Sequence, residues 1–350
     1  LISFANALIG RFSGGLGLVS VAACMFFAAI SGSSAATTAA IGGLMIPEME
    51  KRGYDRDFSA AVNAAGGTIG VIIPPSIPFI MYGMATGANI GQMFVAGIIP
   101  GFLIAGCLMA YTVYYCVRHG EDRVRIDQKV AELRAVGLLP LLKDSFWALL
   151  TPVVLLGGIY SGVITTTEVA CVSVIYALLV SIFVYKSVAL TGVYTMMVES
   201  CKAMAPIALM MAVATAFGRV LTMLQIPNIL AQFITDNFRS KVAILLVINV
   251  ALLLIGMVMD TGPALLILAP MLMPLAAQLN INTIHLGIIM VVNMAVGFVT
   301  PPFGVTLFVA SPICGASPMQ LGRKAIPFIG TFLIALLLIT FIPQISLCLL

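Results

Sequence analysis

Gly70-Val71-Ile72-Ile73-Pro74-Pro75 and Gly297-Phe298-Val299-Thr300-Pro301-Pro302 are the two runs whose reading decides the fold. Each interrupts a long apolar stretch. A double proline cannot continue a helix, because proline lacks the N–H and clashes with the preceding turn. A break inside an apolar run frees backbone groups that must find partners within protein. The two runs lie 227 positions apart, and that offset, without gaps, aligns residues 32–101 with 259–328. Pro47 then falls on Pro274, Gly70 on Gly297, Pro74 and Pro75 on Pro301 and Pro302, Ile99 on Ile326 and Pro100 on Pro327. Four of the five prolines in the first window land on prolines of the second, where chance placement would match fewer than one. The spacing therefore predicts a duplicated unit.

The surroundings set the solvent. Of the 350 residues 61% are hydrophobic and 9% charged, with a mean hydropathy of +1.14. That is too apolar for a water-soluble domain, and it leaves room for on the order of ten membrane segments of about 20 residues. The net charge of +4 is carried mainly in short loops between apolar runs, a pattern that sets membrane orientation rather than nucleic-acid binding. The seven cysteines show no C-x-x-C spacing and read as small hydrophobes, with neither disulfides nor a metal site. Residue 1 is Leu, and no signal peptide precedes the first apolar run. The second copy starts near Trp147, so the offset places about 80 residues of the first copy upstream of residue 1.

Several apolar blocks are too short to cross a bilayer: 11–16 residues reach roughly 16–24 Å as a helix, against a hydrocarbon layer of about 30 Å. Each copy reads as an apolar arm, a polar tip (Ser31-Gly32-Ser33-Ser34; Met259-Asp260-Thr261-Gly262), a second arm ending at Pro47 or Pro274, a loop, and the broken run. This predicts an all-α polytopic membrane protein with two repeats, each holding a re-entrant hairpin and a broken helix. The loop 48–57 carries Lys51, Arg52 and Arg56, whereas its equivalent at 275–284 has no Lys or Arg, so the repeats are of inverted topology. The expected order is an arm helix at 1–14, hairpin 1 with its broken helix and the following helix at 15–117, and a polar cytoplasmic linker at 118–144. Scaffold helices at 145–225, a second arm helix at 226–241, hairpin 2 with its broken helix at 242–325 and a final helix at 326–350 follow. Arg11 is expected on the cytoplasmic side and Arg239 on the opposite one.

The breaks and tips hold the chemistry. Carbonyls freed at the end of a half-helix suit a dehydrated Na+. One ion is expected between Ser33, Ser34 and Gly70, Ile73 and Pro75, and a second between Met259, Asp260, Thr261 and Gly297, Thr300 and Pro302. An anionic substrate needs N–H groups and hydroxyls at half-helix starts, supplied by Ser33, Ser34, Thr37, Thr38, Ser76, Thr261 and Thr306. Asp260 reads equally as a helix cap and as charge support for a cation. Asn63 and Asn293 either bridge to the hairpins or pack between helices, and Arg219 either pairs with Glu199 or snorkels. His119 and His285 have no nucleophile beside them, no ATP-binding motif is present, and no catalytic residue is assigned.

The segment SGSSAATTAAIGGLMIPEMEKRGYDRDFSAAVNAAGGTIGVIIPPSIPFIMYG at 31–83 resembles the large membrane subunit of tripartite ATP-independent periplasmic (TRAP) transporters. So do GIYSGVITTTEVA at 158–170 and GFVTPPFGVTLFVA at 297–310, although TTTE stands at 165–168 where Thr-Pro-Thr-Glu is expected. The resemblance implies sodium-coupled import of an organic acid, such as sialic acid or a C4-dicarboxylate, across the bacterial inner membrane by an elevator motion, and overall similarity favours the sialic acid type. It also implies a small membrane subunit and a periplasmic substrate-binding protein as partners within the lipid bilayer, with no nucleic acid. The alternative reading is a stand-alone sodium/dicarboxylate symporter of similar hairpin architecture.

Overall fold

The computed structural model describes residues 14–119, 138–161, 165–238 and 240–350. The expected arm at 1–13, most of the polar linker at 120–137, and Arg11 and Arg239 lie outside them. Among the described residues every regular element is helical.

The first apolar arm, α1 (Gly15–Ser31), stops because Gly32 takes a left-handed φ of 62° that turns the chain back. Ser33, extended, caps α2 (Ser34–Lys51) by accepting from the Ala36 N–H. Asp55 caps α3 (Arg56–Gly67), which tightens into a 3-10 turn at Thr68–Val71 before the double proline. The chain resumes in α4 (Ile77–Thr86), capped by Ser76, and then in the long α5 (Ile90–His119). Next come α6 (Leu138–Tyr160), α7 (Thr166–Leu179, opened by a Thr165–Glu168 capping box), α8 (Leu190–Met223) and α9 (Ile226–Asn237). The same sequence of elements then returns. It runs α10 (Lys241–Gly256), α11 (Thr261–Gln278), α12 (Thr283–Gly297), a break over 298–304, α13 (Val305–Cys314) and α14 (Pro318–Phe341), with a last turn α15 (Gln344–Leu347).

Among the described residues five helices are long and apolar enough to cross a membrane: Ile90–Arg118, Thr167–Val184, Thr191–Met223, Thr261–Gln278 and Pro318–Phe341. Shorter apolar helices include both first arms and both halves of the second broken helix. The chain is a polytopic all-α membrane protein.

Two sequence expectations fail locally. The second arms do not end at Pro47 and Pro274; both helices run four residues past them, to Lys51 and Gln278. Packing carries them on: the buried stripe of Met45 and Ile46 continues past Pro47 to Met49, and past Pro274 to Leu275 and Ala276. Helices packed among other helices tolerate a proline there. The stretch 118–144, expected as the polar linker, overlaps two helices, since α5 extends to His119 and α6 begins at Leu138.

The broken helices form the centre. Every residue of α3 from Phe58 to Gly67 and of α12 from Ile284 to Gly297 is buried; break 1 is enclosed by protein through Pro74, whereas break 2 is exposed at Pro302 and Phe303. Packing around them is reciprocal: α2 lies on α13 while α11 lies on α4, and α3 lies on α14 while α12 lies on α5. Phe58 stacks on Tyr115 at 3.8 Å, and Phe328 presents its edge to Tyr111. Lys324 of α14 meets the carboxylate of Asp55 at 2.6 Å. By contrast α8 is almost wholly exposed, with large apolar side chains such as Tyr194, Met197 and Phe217 facing outward.

Candidate functional site

Tip 1 closes on break 1. Gly70 lies so near the Ser33 carbonyl and the Thr37 hydroxyl that a β-carbon there would stand 2.6 Å from each. Gly32 approaches the Pro75 carbonyl equally closely, and its carbonyl accepts from the Ile77 N–H at 3.4 Å. The Ser33 carbonyl already accepts from the Thr37 N–H and hydroxyl, at 3.1 and 2.7 Å. Ser33, Gly70 and Pro75 are thus one backbone cluster. Ile73 is buried beside them, its side chain turned to Gly101 rather than to the tip.

Break 2 is assembled differently. A β-carbon on Gly297 would run into the backbone of Gly256, which ends the arm just before Met259-Asp260-Thr261. Thr300 donates its hydroxyl to the Val296 carbonyl at 2.7 Å, and Pro302 is exposed. Asp260 is exposed and accepts from the Thr261 N–H at 2.8 Å, which is its capping role. Met259 is also exposed.

The two tips face one cavity of about 250 Å³, lined by Gly32, Ser33 and Ser34 from the first and by Asp260, Thr261 and Gly262 from the second. Thr261 is 1% exposed, and its hydroxyl has no hydrogen-bond partner. Buried hydroxyls are nearly always paired, which makes this one the candidate ligand contact on the cavity wall. Around it α2 and α11 both begin, and their first N–H groups carry partial positive charge suited to an anion.

The other hydroxyls named from sequence point elsewhere. Ser76 donates to the Val71 carbonyl at 2.5 Å, Thr306 to the Phe298 carbonyl at 2.8 Å, and Thr38 to the Ser34 carbonyl at 2.9 Å. Val71 and Phe298 stand 227 positions apart, each one residue after a break glycine, so Ser76 and Thr306 serve carbonyls that the breaks release. Thr37 is spent within tip 1 in the same way.

Sequence reasoning missed the apolar walls: Met81 and Pro78 of α4, Ile207 and Met210 of α8, Leu266 of α11, and Phe298 and Val305 at break 2. Asn63 accepts from the Ser20 hydroxyl at 2.8 Å, and Asn293 donates to Asn249 at 2.5 Å, so each amide ties a broken helix to the first arm of its own hairpin. Glu199 pairs with Lys202 rather than Arg219.

Residues 1–345 match the family model described as the tripartite ATP-independent periplasmic transporter, DctM component. The chain belongs to the DctM family. It is 43% identical over 346 residues to the isethionate TRAP transporter permease protein DctMQ of Oleidesulfovibrio alaskensis, covering 99% of this chain and 54% of that one. The C4-dicarboxylate TRAP transporter large permease protein DctM of Pseudomonas aeruginosa is 41% identical, with 100% of this chain and 80% of the relative covered. The sialic acid TRAP transporter large permease protein SiaM of Vibrio cholerae is 34% identical, again over 100% and 80%. This DctM chain therefore spans about half of the isethionate relative and most of the other two. It is a multi-pass inner-membrane protein, and its relatives are permeases rather than enzymes.

Proposed function

We propose that this DctM chain carries out sodium-coupled secondary import of a small organic acid, its transport domain moving as an elevator between the two faces of the membrane. The observation that carries the reading is the cavity shared by both hairpin tips, with the buried and unpartnered Thr261 hydroxyl on its wall. The tightly closed cluster at Ser33, Gly70 and Pro75 offers carbonyls for one Na+, and the segment from Met259 to Thr261 with Gly297, Thr300 and Pro302 offers a second, looser set. Both ions are carried species rather than resident cofactors.

Inverted repeats are part of the proposal. Shifted by 227, the bounds of α2 fall on those of α11, the start of α3 on that of α12, and the start of α4 one residue before that of α13. The reciprocal packing of these helices supports one transport domain built from both copies, with the exposed α6 to α8 as scaffold. The expected arm, linker and hairpin divisions belong to this reading, as do a small membrane subunit and a periplasmic binding protein, which the tripartite family description supports.

Among relatives named for isethionate, C4-dicarboxylates and sialic acid, the higher identities fall on the two smaller acids. A carboxylate or sulfonate would rest on the N–H groups beginning α2 and α11 and on Ser33, Ser34 and Thr261. Asp260 repels it until a cation is bound, which orders sodium before substrate. The test is thermal melting of the purified transporter with isethionate, succinate and sialic acid, each in Na+ and in K+. A ligand bound only with sodium raises the melting temperature in Na+ alone; equal shifts in both salts would refute the coupling.

A further inference from the structure

A second cavity, of about 360 Å³, lies where α10 begins, where the chain turns from α11 into α12, and where α14 ends. All three are ends of apolar helices, so the cavity sits at the water–lipid boundary, away from the tips. On its wall are Lys241, His285 and Thr340, with Val242, Phe341 and Leu347 as the apolar side. Lys241 is exposed and spends one N–H on the Leu279 carbonyl at 2.8 Å, leaving two for an anion. His285 is 4% exposed. Its Nε2 stands 3.4 Å from the Thr340 carbonyl, which can only accept, so that nitrogen holds the proton. Nδ1 is then an acceptor, and it is buried with no partner.

A ligand that satisfies this wall needs an anionic group for Lys241, a hydrogen-bond donor for His285 and a hydrocarbon portion for Val242, Phe341 and Leu347. We propose that the cavity binds a phospholipid whose headgroup carries N–H donors, of the phosphatidylethanolamine class: phosphate on Lys241, ammonium on His285 Nδ1, one acyl chain along the apolar side. Phosphatidylcholine offers the same phosphate and chains but no N–H. The site is independent of the organic-acid reading, because no lining residue belongs to the tips or breaks.

The whole transporter, purified and delipidated in detergent, is titrated with phosphatidylethanolamine, phosphatidylcholine and water-soluble glycerophosphoethanolamine, with bound lipid counted by native mass spectrometry. Phosphatidylethanolamine should bind best, and Lys241→Gln and His285→Leu should each weaken it about tenfold, the size of one lost charge-assisted or buried hydrogen bond. Lys241 is exposed, so its variant keeps the fold even if the histidine variant does not. Equal binding of the two lipids, or wild-type binding by Lys241→Gln, would overturn the proposal. Binding of glycerophosphoethanolamine as tight as that of the lipid would overturn the lipid assignment in favour of a soluble phosphate.

Discussion

The Thr261 hydroxyl gives up water on folding and gains no protein partner in return, which costs about 1–3 kcal/mol. Thr261→Val removes the hydroxyl at nearly constant volume, so the melting temperature of the ligand-free transporter should hold or rise while uptake falls about tenfold or more. Thr261→Ser should retain most uptake. A destabilised Thr261→Val with normal uptake would assign the residue to packing instead. That Ser33, Ser34 and Thr261 could be picked out from sequence follows from contrast, since polar tips stand out against apolar arms. Thr37, Ser76 and Thr306 were just as conspicuous, yet their hydroxyls go to backbone carbonyls. Which carbonyl a break releases depends on the path of the chain after the prolines, and residue spacing does not encode that path. Met81, Ile207 and Met210 were illegible for the opposite reason: apolar residues in an apolar sequence offer no contrast.

At the level of helices and their junctions, the contact between tip 1 and break 1 is the most sharply testable. Gly70→Ala would force its β-carbon against the Ser33 carbonyl and the Thr37 hydroxyl, so the tip must part from the break. Sodium-dependent uptake should be lost, while Gly43→Ala, whose β-carbon meets nothing within 4 Å, should leave it unchanged. Asp55 makes a second junction, from the start of α3 to α14. Burial alone would raise its pKa, but the Lys324 hydrogen bond and charge, with the Asp57 N–H, hold it below the ordinary 3.8. A depressed carboxylate stabilises the fold above its unfolded pKa and stops doing so as pH falls through its folded value. Lys324→Met should therefore melt earlier than wild type at neutral pH, with the gap closing as pH drops below about 3.8. A constant gap would mean that packing, not charge, makes the junction. Ser33, Asp55, Ser76, Asp260 and Asn282 cap these helix starts, and of them only Asp260 is read as a cap from the sequence. The ends at Pro47 and Pro274 were misread because buried stripes outweigh one lost hydrogen bond.

Across the whole molecule, the reciprocal packing makes each half of the chain complete the other's hairpin. Residues of both tips line the cavity between them, so it draws on both halves of the chain. The offset of 227 was readable because proline positions are constrained wherever a helix must break. How the two aligned windows pack against each other was not, because it is set by contacts between residues far apart in sequence. In the proposed coupling, cations that close both tips would also pre-organise the N–H groups that receive the acid. The most direct measurement is uptake of radiolabelled organic acid into proteoliposomes holding the complete transporter with its binding protein, driven by an inward Na+ gradient or by an equal K+ gradient. The account predicts concentrative uptake with Na+ alone, abolished by Gly70→Ala and strongly reduced by Thr261→Val; equal uptake in K+, or full sodium-driven uptake by both variants, would contradict it.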